Sequence, residues 1–170
     1  MPYDVRMWQG QVVSLHIGRE AGAPLEVVPE VKAVAGKGLE GDRYYRGRGY
    51  YSTRPSVGGR EVTLIETEAV EALDQGLVNA EGEMLGVKIT AAETRRNIAT
   101  SGVPLNHLVG KEFWVGAVRL RGTRLCEPCT YLEGLTGRPR LMSGLLHRGG
   151  LRAQILTGGV IRVGDVVRPG

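Results

Sequence analysis

The chain has 170 residues, which most simply means one domain with room for a proper core. At 42% hydrophobic and 24% charged, with 26 glycines and one phenylalanine, it reads as a turn-rich globular protein with a core of Val, Leu, Ile and Ala. Its formal charge of +4 is modest for a dedicated nucleic-acid binder, and no apolar run approaches the ~18 residues of a membrane span.

Met1-Pro2-Tyr3-Asp4-Val5-Arg6 lacks the apolar core of a signal peptide, so a cytoplasmic location is expected. In that compartment a cysteine pair is more often reduced and chemically active than bridged. All but four of the 22 basic residues are arginine, the lysines being Lys32, Lys37, Lys88 and Lys111. A preference for arginine codons accounts for much of that bias. Where guanidinium forks cluster, they match phosphates and carboxylates.

Residues 11–17 alternate, with Val13, Leu15 and Ile17 on one side, and predict a first strand with His16 facing solvent. Residues 24–28 and 31–35 predict two more, broken at Pro29. A glycine-punctuated loop follows at 36–43, where Asp42 can brace the turn through backbone N–H groups. Residues 43–60 carry five arginines and four of the six tyrosines without any aliphatic period. They predict a long loop, mobile without a ligand and suited to cover a bound molecule. Its interleaved Arg, Tyr and Gly also admit a nucleic-acid reading, the weaker one for a single short loop.

Residues 61–65 predict a strand leading into a helix at 67–75, with Thr67 as N-cap, Ala69, Val70 and Leu73 as its apolar stripe and Gly76 as its stop. Thr90 to Glu93 has capping-box spacing and leads into Arg95-Arg96-Asn97-Ile98. A hairpin is expected across Gly116-Ala117, with a bulge at Gly122. Short helices are expected at 130–135 and 141–147, then alternation at 151–156, a Thr157-Gly158-Gly159 turn and the run 160–163, followed by Gly164-Asp165-Val166-Val167. Many short strands, few helices and no βαβ alternation predict one mainly β (α+β) domain over 1–170. Its architecture would be an antiparallel, barrel-like fold with a few short inserted helices.

Arg124-Leu125-Cys126-Glu127-Pro128-Cys129 holds both cysteines, with two residues between them, between a strand and a helical run. A structural zinc site needs four ligands, and His16, His107 and His147 lie far apart with no second cysteine pair. A thioredoxin-like dithiol suits the local context, but that fold places most of its sheet after the motif, and here helix and hairpin follow. Two buried thiols without chemistry are the plainest alternative. A single working thiolate, acting as metal ligand or sulfur acceptor, is the remaining one, with Pro128 stiffening the turn that presents Cys129.

Gly38-Leu39-Glu40-Gly41-Asp42-Arg43, Arg96-Asn97-Ile98 with Gly102 and Leu105, then Gly110, Gly116 and Pro128-Cys129 together resemble the MOSC domain family. These domains are similar to the C-terminal part of molybdenum cofactor sulfurases, and the resemblance spans roughly residues 8–168. It implies a β-rich barrel with a few helices. It also implies that Cys129 is the family's cysteine, which ligates the molybdenum of a pterin cofactor in some members and is proposed to carry sulfur in others. Stand-alone bacterial relatives reduce N-hydroxylated bases, so the implied activity is an oxidoreductase or a sulfur transferase acting on a small molecule.

Cys126 is an extra next to that pattern. Arg96, Asn97 and Arg95 are the candidate cofactor contacts by motif, with Arg43 and Arg60 from the Arg/Tyr loop. Some stand-alone relatives carry histidines in that loop, and this chain has none there. It shows neither the extra barrel domain nor the desulfurase domain of larger members. The resemblance therefore implies an electron-donor reductase or a cysteine desulfurase in trans.

Overall fold

A computed structural model describes residues 7–54 and 59–170. Residues 1–6, where a signal peptide would begin, and 55–58 of the Arg/Tyr loop lie outside the described residues. The strands are β1 (Gly10–Ile17), β2 (Glu26–Val28), β3 (Glu30–Val34), β4 (Gly38–Leu39), β5 (Val62–Glu66), β6 (Leu77–Val78), β7 (Met84–Leu85), β8 (Ile98–Ser101), β9 (Glu112–Val115), β10 (Val118–Leu125), β11 (Leu151–Thr157), β12 (Gly159–Arg162) and β13 (Val166–Pro169). The helices are α1 (Thr67–Gln75), α2 (Thr130–Thr136) and α3 (Leu141–Leu145).

Seven strands close into a barrel in the order β13-β9-β10-β11-β5-β8-β1, sealed by pairing of β1 with β13. Strand β2 extends β1 as a hairpin arm, and β12-β3-β4 form a separate small sheet. Closure removes free edges from the barrel, which suits a chain made of short strands.

The barrel is antiparallel, as expected, at every seam but one. Strand β5 pairs with β8 in parallel, Leu64 opposite Ile98 and Glu66 opposite Thr100. A parallel pair needs a crossover, and residues 67–97 supply it with α1, the β6–β7 hairpin and a 3-10 turn at Ala92–Thr94. This is a βαβ unit, which the short helix of the crossover had concealed.

Strand β1 also departs from simple alternation. A bulge between Val12 and Ser14 shifts its register against β8. Val12 and Leu15 thus point inward, Val13 is exposed, and His16 is buried instead of facing solvent. At α1 the expected Thr67 N-cap is displaced by one residue. Glu66 holds the cap position, while the Thr67 hydroxyl donates to the Thr100 carbonyl at 3.0 Å. Gly76 ends the helix at φ 99°, as expected of a C′ glycine. The register break after Gly122 falls where its bulge was expected.

Two hydrophobic cores result. The barrel interior holds Val12, Leu15, Leu64, Ile98, Phe113, Leu120, Leu151 and Val167, all at most 1% exposed. Outside β5 and β8, the opposite faces of those strands (Ile65 and Ala99) meet Val70 and Leu73 of α1, Leu132 of α2, and Leu141 and Leu145 of α3. Each fully buried Leu contributes about 2 kcal/mol. Cys129 packs at the margin of this second core, so the helical layer fixes where the thiol sits.

Candidate functional site

Strand β10 runs out at Leu125 and α2 begins at Thr130, with Cys129 in its N-cap position. Between them the cysteine turn is held by its backbone. Cys126 N–H donates to the Gly150 carbonyl at 2.7 Å. Gly149 packs under the turn so closely that a Cβ there would meet the Cys126 oxygen at 2.3 Å. Both cysteines are free thiols, Cys126 buried and Cys129 half-buried.

Arg96 ties this turn to the crossover. Its Nε donates to Gly149 O at 2.7 Å, Nη1 to Thr94 O at 3.1 Å and Nη2 to Cys126 O at 2.9 Å. It lines the cavity beside Cys129, yet those donors already hold protein carbonyls.

Asn97 is engaged in the same way and does not line the cavity. Its Nδ2 donates to His16 O and to Asp42 Oδ1, while its Oδ1 accepts from the Thr63 N–H and hydroxyl. His16 Nδ1 donates to Arg96 O at 2.9 Å. Burial pushes the His16 pKa below its usual 6.5, opposed in part by that hydrogen bond. Asp42 braces its loop as expected, accepting from the N–H groups of Gly18 and Tyr44 and from Arg43 Nη1 at 3.1 Å.

Arg43 and Arg95 do face the cavity. Arg43 Nη2 donates to Arg95 O at 3.3 Å. Arg95 adopts the left-handed conformation at φ 64°, which is uncommon for a non-glycine residue and tends to occur at functional sites. Its Nη1 donates to Ala23 O, and its side chain lines both this cavity and a neighbouring one of about 260 Å³. Burial and the Arg43 charge lower the Arg95 pKa.

Arg60 lies on the far side of the loop. It donates to the Arg54 and Tyr51 carbonyls and sits over the Tyr51 ring at 5.9 Å. Arg124, two residues before Cys126, is exposed and does not line the cavity. Glu127 is an exposed turn carboxylate at the rim, accepting from the His147 N–H.

Tyr131 and Arg152 were not singled out from the sequence, whereas the loop that carries Tyr50 and Tyr51 was. Residues 43–54 fold as turns over Cys129, and the Tyr51 hydroxyl donates to Cys129 Sγ at 3.4 Å. That bond, reinforced by burial and the neighbouring sulfur's charge, pushes the Tyr51 pKa up to about 12. Tyr50 meets Tyr51 edge-on at 4.8 Å and stacks on Tyr131 of α2 at 3.8 Å, interplanar angle 12°. Arg152 of β11 lines the cavity and lies over the Tyr51 ring at 5.7 Å. The Tyr-rich composition pointed to this loop, but only the fold brings Tyr131 and Arg152 to it.

The enclosed space is about 70 Å³, room for only a few waters. Its lining combines Cys129 with Arg43, Arg95 and Arg152, and both Nη groups of Arg43 already donate, to Asp42 and to the Arg95 carbonyl. Among the described residues, no three His, Cys, Asp or Glu side chains gather into a group that could hold a metal.

The MOSC domain model matches residues 39–168. The chain belongs to the MOSC domain family. Solved structures share its fold. YuaD from Bacillus subtilis superposes with a TM-score of 0.71 at 17% identity, covering 95% of this chain and 97% of that one. YiiM from Geobacillus stearothermophilus gives 0.66 at 17% identity, covering 95% and 75%. YiiM from Escherichia coli gives 0.62 at 15% identity, covering 96% and 69%. No curated protein sequence matches the chain. The family is associated with molybdenum cofactor sulfurase-like function. Among the described residues, no helix is long and apolar enough to cross a membrane.

Proposed function

We propose that this MOSC protein binds molybdenum cofactor through the Cys129 thiolate and reduces an N-hydroxylated or related small substrate. The observation that carries this reading is Cys129 at a cavity that Arg43, Arg95 and Arg152 also line. The donor set fits the group. One soft thiolate suits a metal that arrives with its own sulfur ligands, and guanidinium forks suit the phosphate and pterin oxygens. When bound, the cofactor supplies a two-electron centre.

The chain's own residues orient the thiol. Arg96 and Gly149 fix the cysteine turn, and Tyr51 donates to the sulfur. A 70 Å³ space is smaller than a pterin, so binding requires the Tyr50–Tyr51 cover to move. Electrons come from a reductase in trans under this reading.

The test is molybdenum and pterin content after expression in a cofactor-competent host. Wild type is expected to carry both, and Cys129→Ser to lose the metal. Absence of molybdenum from both proteins counts against the ligand role.

A second reading is favoured by one further observation, the second free thiol lining the same cavity. In it Cys129 carries sulfur as a persulfide received from a cysteine desulfurase in trans. A mass gain of one sulfur on Cys129 without molybdenum separates it from the first.

A further inference from the structure

The cavity is bordered by two thiols, while either reading of the function uses one. Cys126 is 3% exposed, is held on both sides of its backbone by Gly150 O and Arg96 Nη2, and carries no disulfide. The turn between the cysteines is fixed by Pro128 and packed against Gly149. Cys129 lies at the other end of this turn, half-buried, with its sulfur hydrogen-bonded to the Tyr51 cover. Two thiols held three residues apart by a rigid turn and walled into one small cavity are placed to react with each other. A leaving group carried on the outer sulfur makes that sulfur an electrophile for a thiolate of the same cavity lining.

We propose that Cys126 is the resolving thiol of Cys129, releasing sulfur bound there as inorganic sulfide. This rests on the sulfur-carrier reading. A persulfide donor of the cysteine-desulfurase class first leaves Cys129 as Sγ–SH. The Cys126 thiolate attacks Cys129 Sγ, forming the Cys126–Cys129 disulfide. The Sγ–SH bond breaks, and HS⁻ departs with the bonding pair. The sulfane sulfur is reduced to sulfide, and the two cysteine sulfurs are oxidised to the disulfide. An external dithiol reductant then returns both thiols. Sulfide generated inside the cavity is in the form that a metal accepts as a ligand.

The experiment loads reduced wild type and Cys126→Ser with inorganic polysulfide, removes the excess, and follows released sulfide alongside intact mass and peptide mapping. Wild type is expected to release one equivalent of sulfide per chain and to yield a Cys126–Cys129 disulfide peptide. Cys126→Ser is expected to retain the mass of one added sulfur on Cys129 until reductant is supplied. Wild type that loads Cys129 and then holds the sulfur as stably as Cys126→Ser overturns the resolving role and leaves the carrier reading standing. Failure of Cys129 to take up sulfur in either protein overturns both. The wild-type disulfide peptide is decisive even if the variant folds poorly.

Discussion

Three nitrogens of Arg96 donate to carbonyls of Gly149, Thr94 and Cys126, which belong to segments far apart in the chain. Its motif was legible in the sequence, but its partners were not, because backbone carbonyls leave no residue signature. Removing the side chain strands acceptors in a buried place. Arg96→Ala is expected to lower stability by about 3 kcal/mol in urea unfolding and to raise the alkylation rate of Cys126. Lysine has one compact donor group in place of the fork, so Arg96→Lys should recover less than half of the loss. His16, read as solvent-facing, makes a pH-dependent contribution from its buried place. Its folded pKa lies below the unfolded value of 6.5, so the unfolded chain binds the extra proton first. Stability should therefore fall as pH drops below 6.5, by at most about 1.4 kcal/mol per unit from this group. Glu61 and Glu66, raised by burial, act in the opposite direction. The clean readout is the difference between wild type and His16→Asn, whose slope over that window should be shallower. Equal slopes would assign the acid sensitivity elsewhere.

At the scale of elements, the β9–β10 hairpin and the alternation of β11 were readable, and a glycine marked the bulge after Gly122. What escaped was set by partners distant in sequence. The β1 bulge puts Val12 in place of Val13 on the inward side while Leu15 stays there, and a period-of-two pattern cannot report an inserted residue. The parallel β5–β8 pair was hidden because its crossover spends only nine residues on α1. The cysteine turn was legible as strand, turn and helix, while the cover over it depends on Tyr50 stacking on Tyr131 across the fold. The junction between β10 and α2 has its own test. Gly149 leaves no room for a methyl between itself and the Cys126 carbonyl. Gly149→Ala should cost about 1–3 kcal/mol in thermal or urea melts, because the nearest atoms are backbone and Pro128 rather than a flexible side chain. It should also displace Cys129, read as a changed alkylation rate at that residue with the far-UV spectrum kept.

Across the whole molecule, the barrel closes through its shortest seam. Strands β1 and β13 pair only at Gly10–Val167 and Gln11–Val166, helped by hydrogen bonds of Val12 N–H to Asp165 O and Gly164 N–H to Val12 O. Strand β13 is held more firmly on its other side, where it pairs with β9 over three positions. There Trp114 lies under the guanidiniums of Arg168 at 5.3 Å and Arg119 at 5.5 Å. So few ladder bonds cannot keep the seam shut alone. Side chains inside the barrel must hold it, and the two neighbouring valines of β13 separate the contributions. Val167 is 0% exposed within the barrel core, whereas Val166 is 42% exposed, and both sit opposite β1. Val167→Ala should cost about 2 kcal/mol, the loss of two buried methyl groups plus the void they leave. Val166→Ala, losing the same atoms to solvent, should stay within about 0.5 kcal/mol of wild type. Amide exchange along β1 and β13 should accelerate in the first variant and not in the second. Equal effects in the two would mean that the ladder, not the packed interior, closes the barrel.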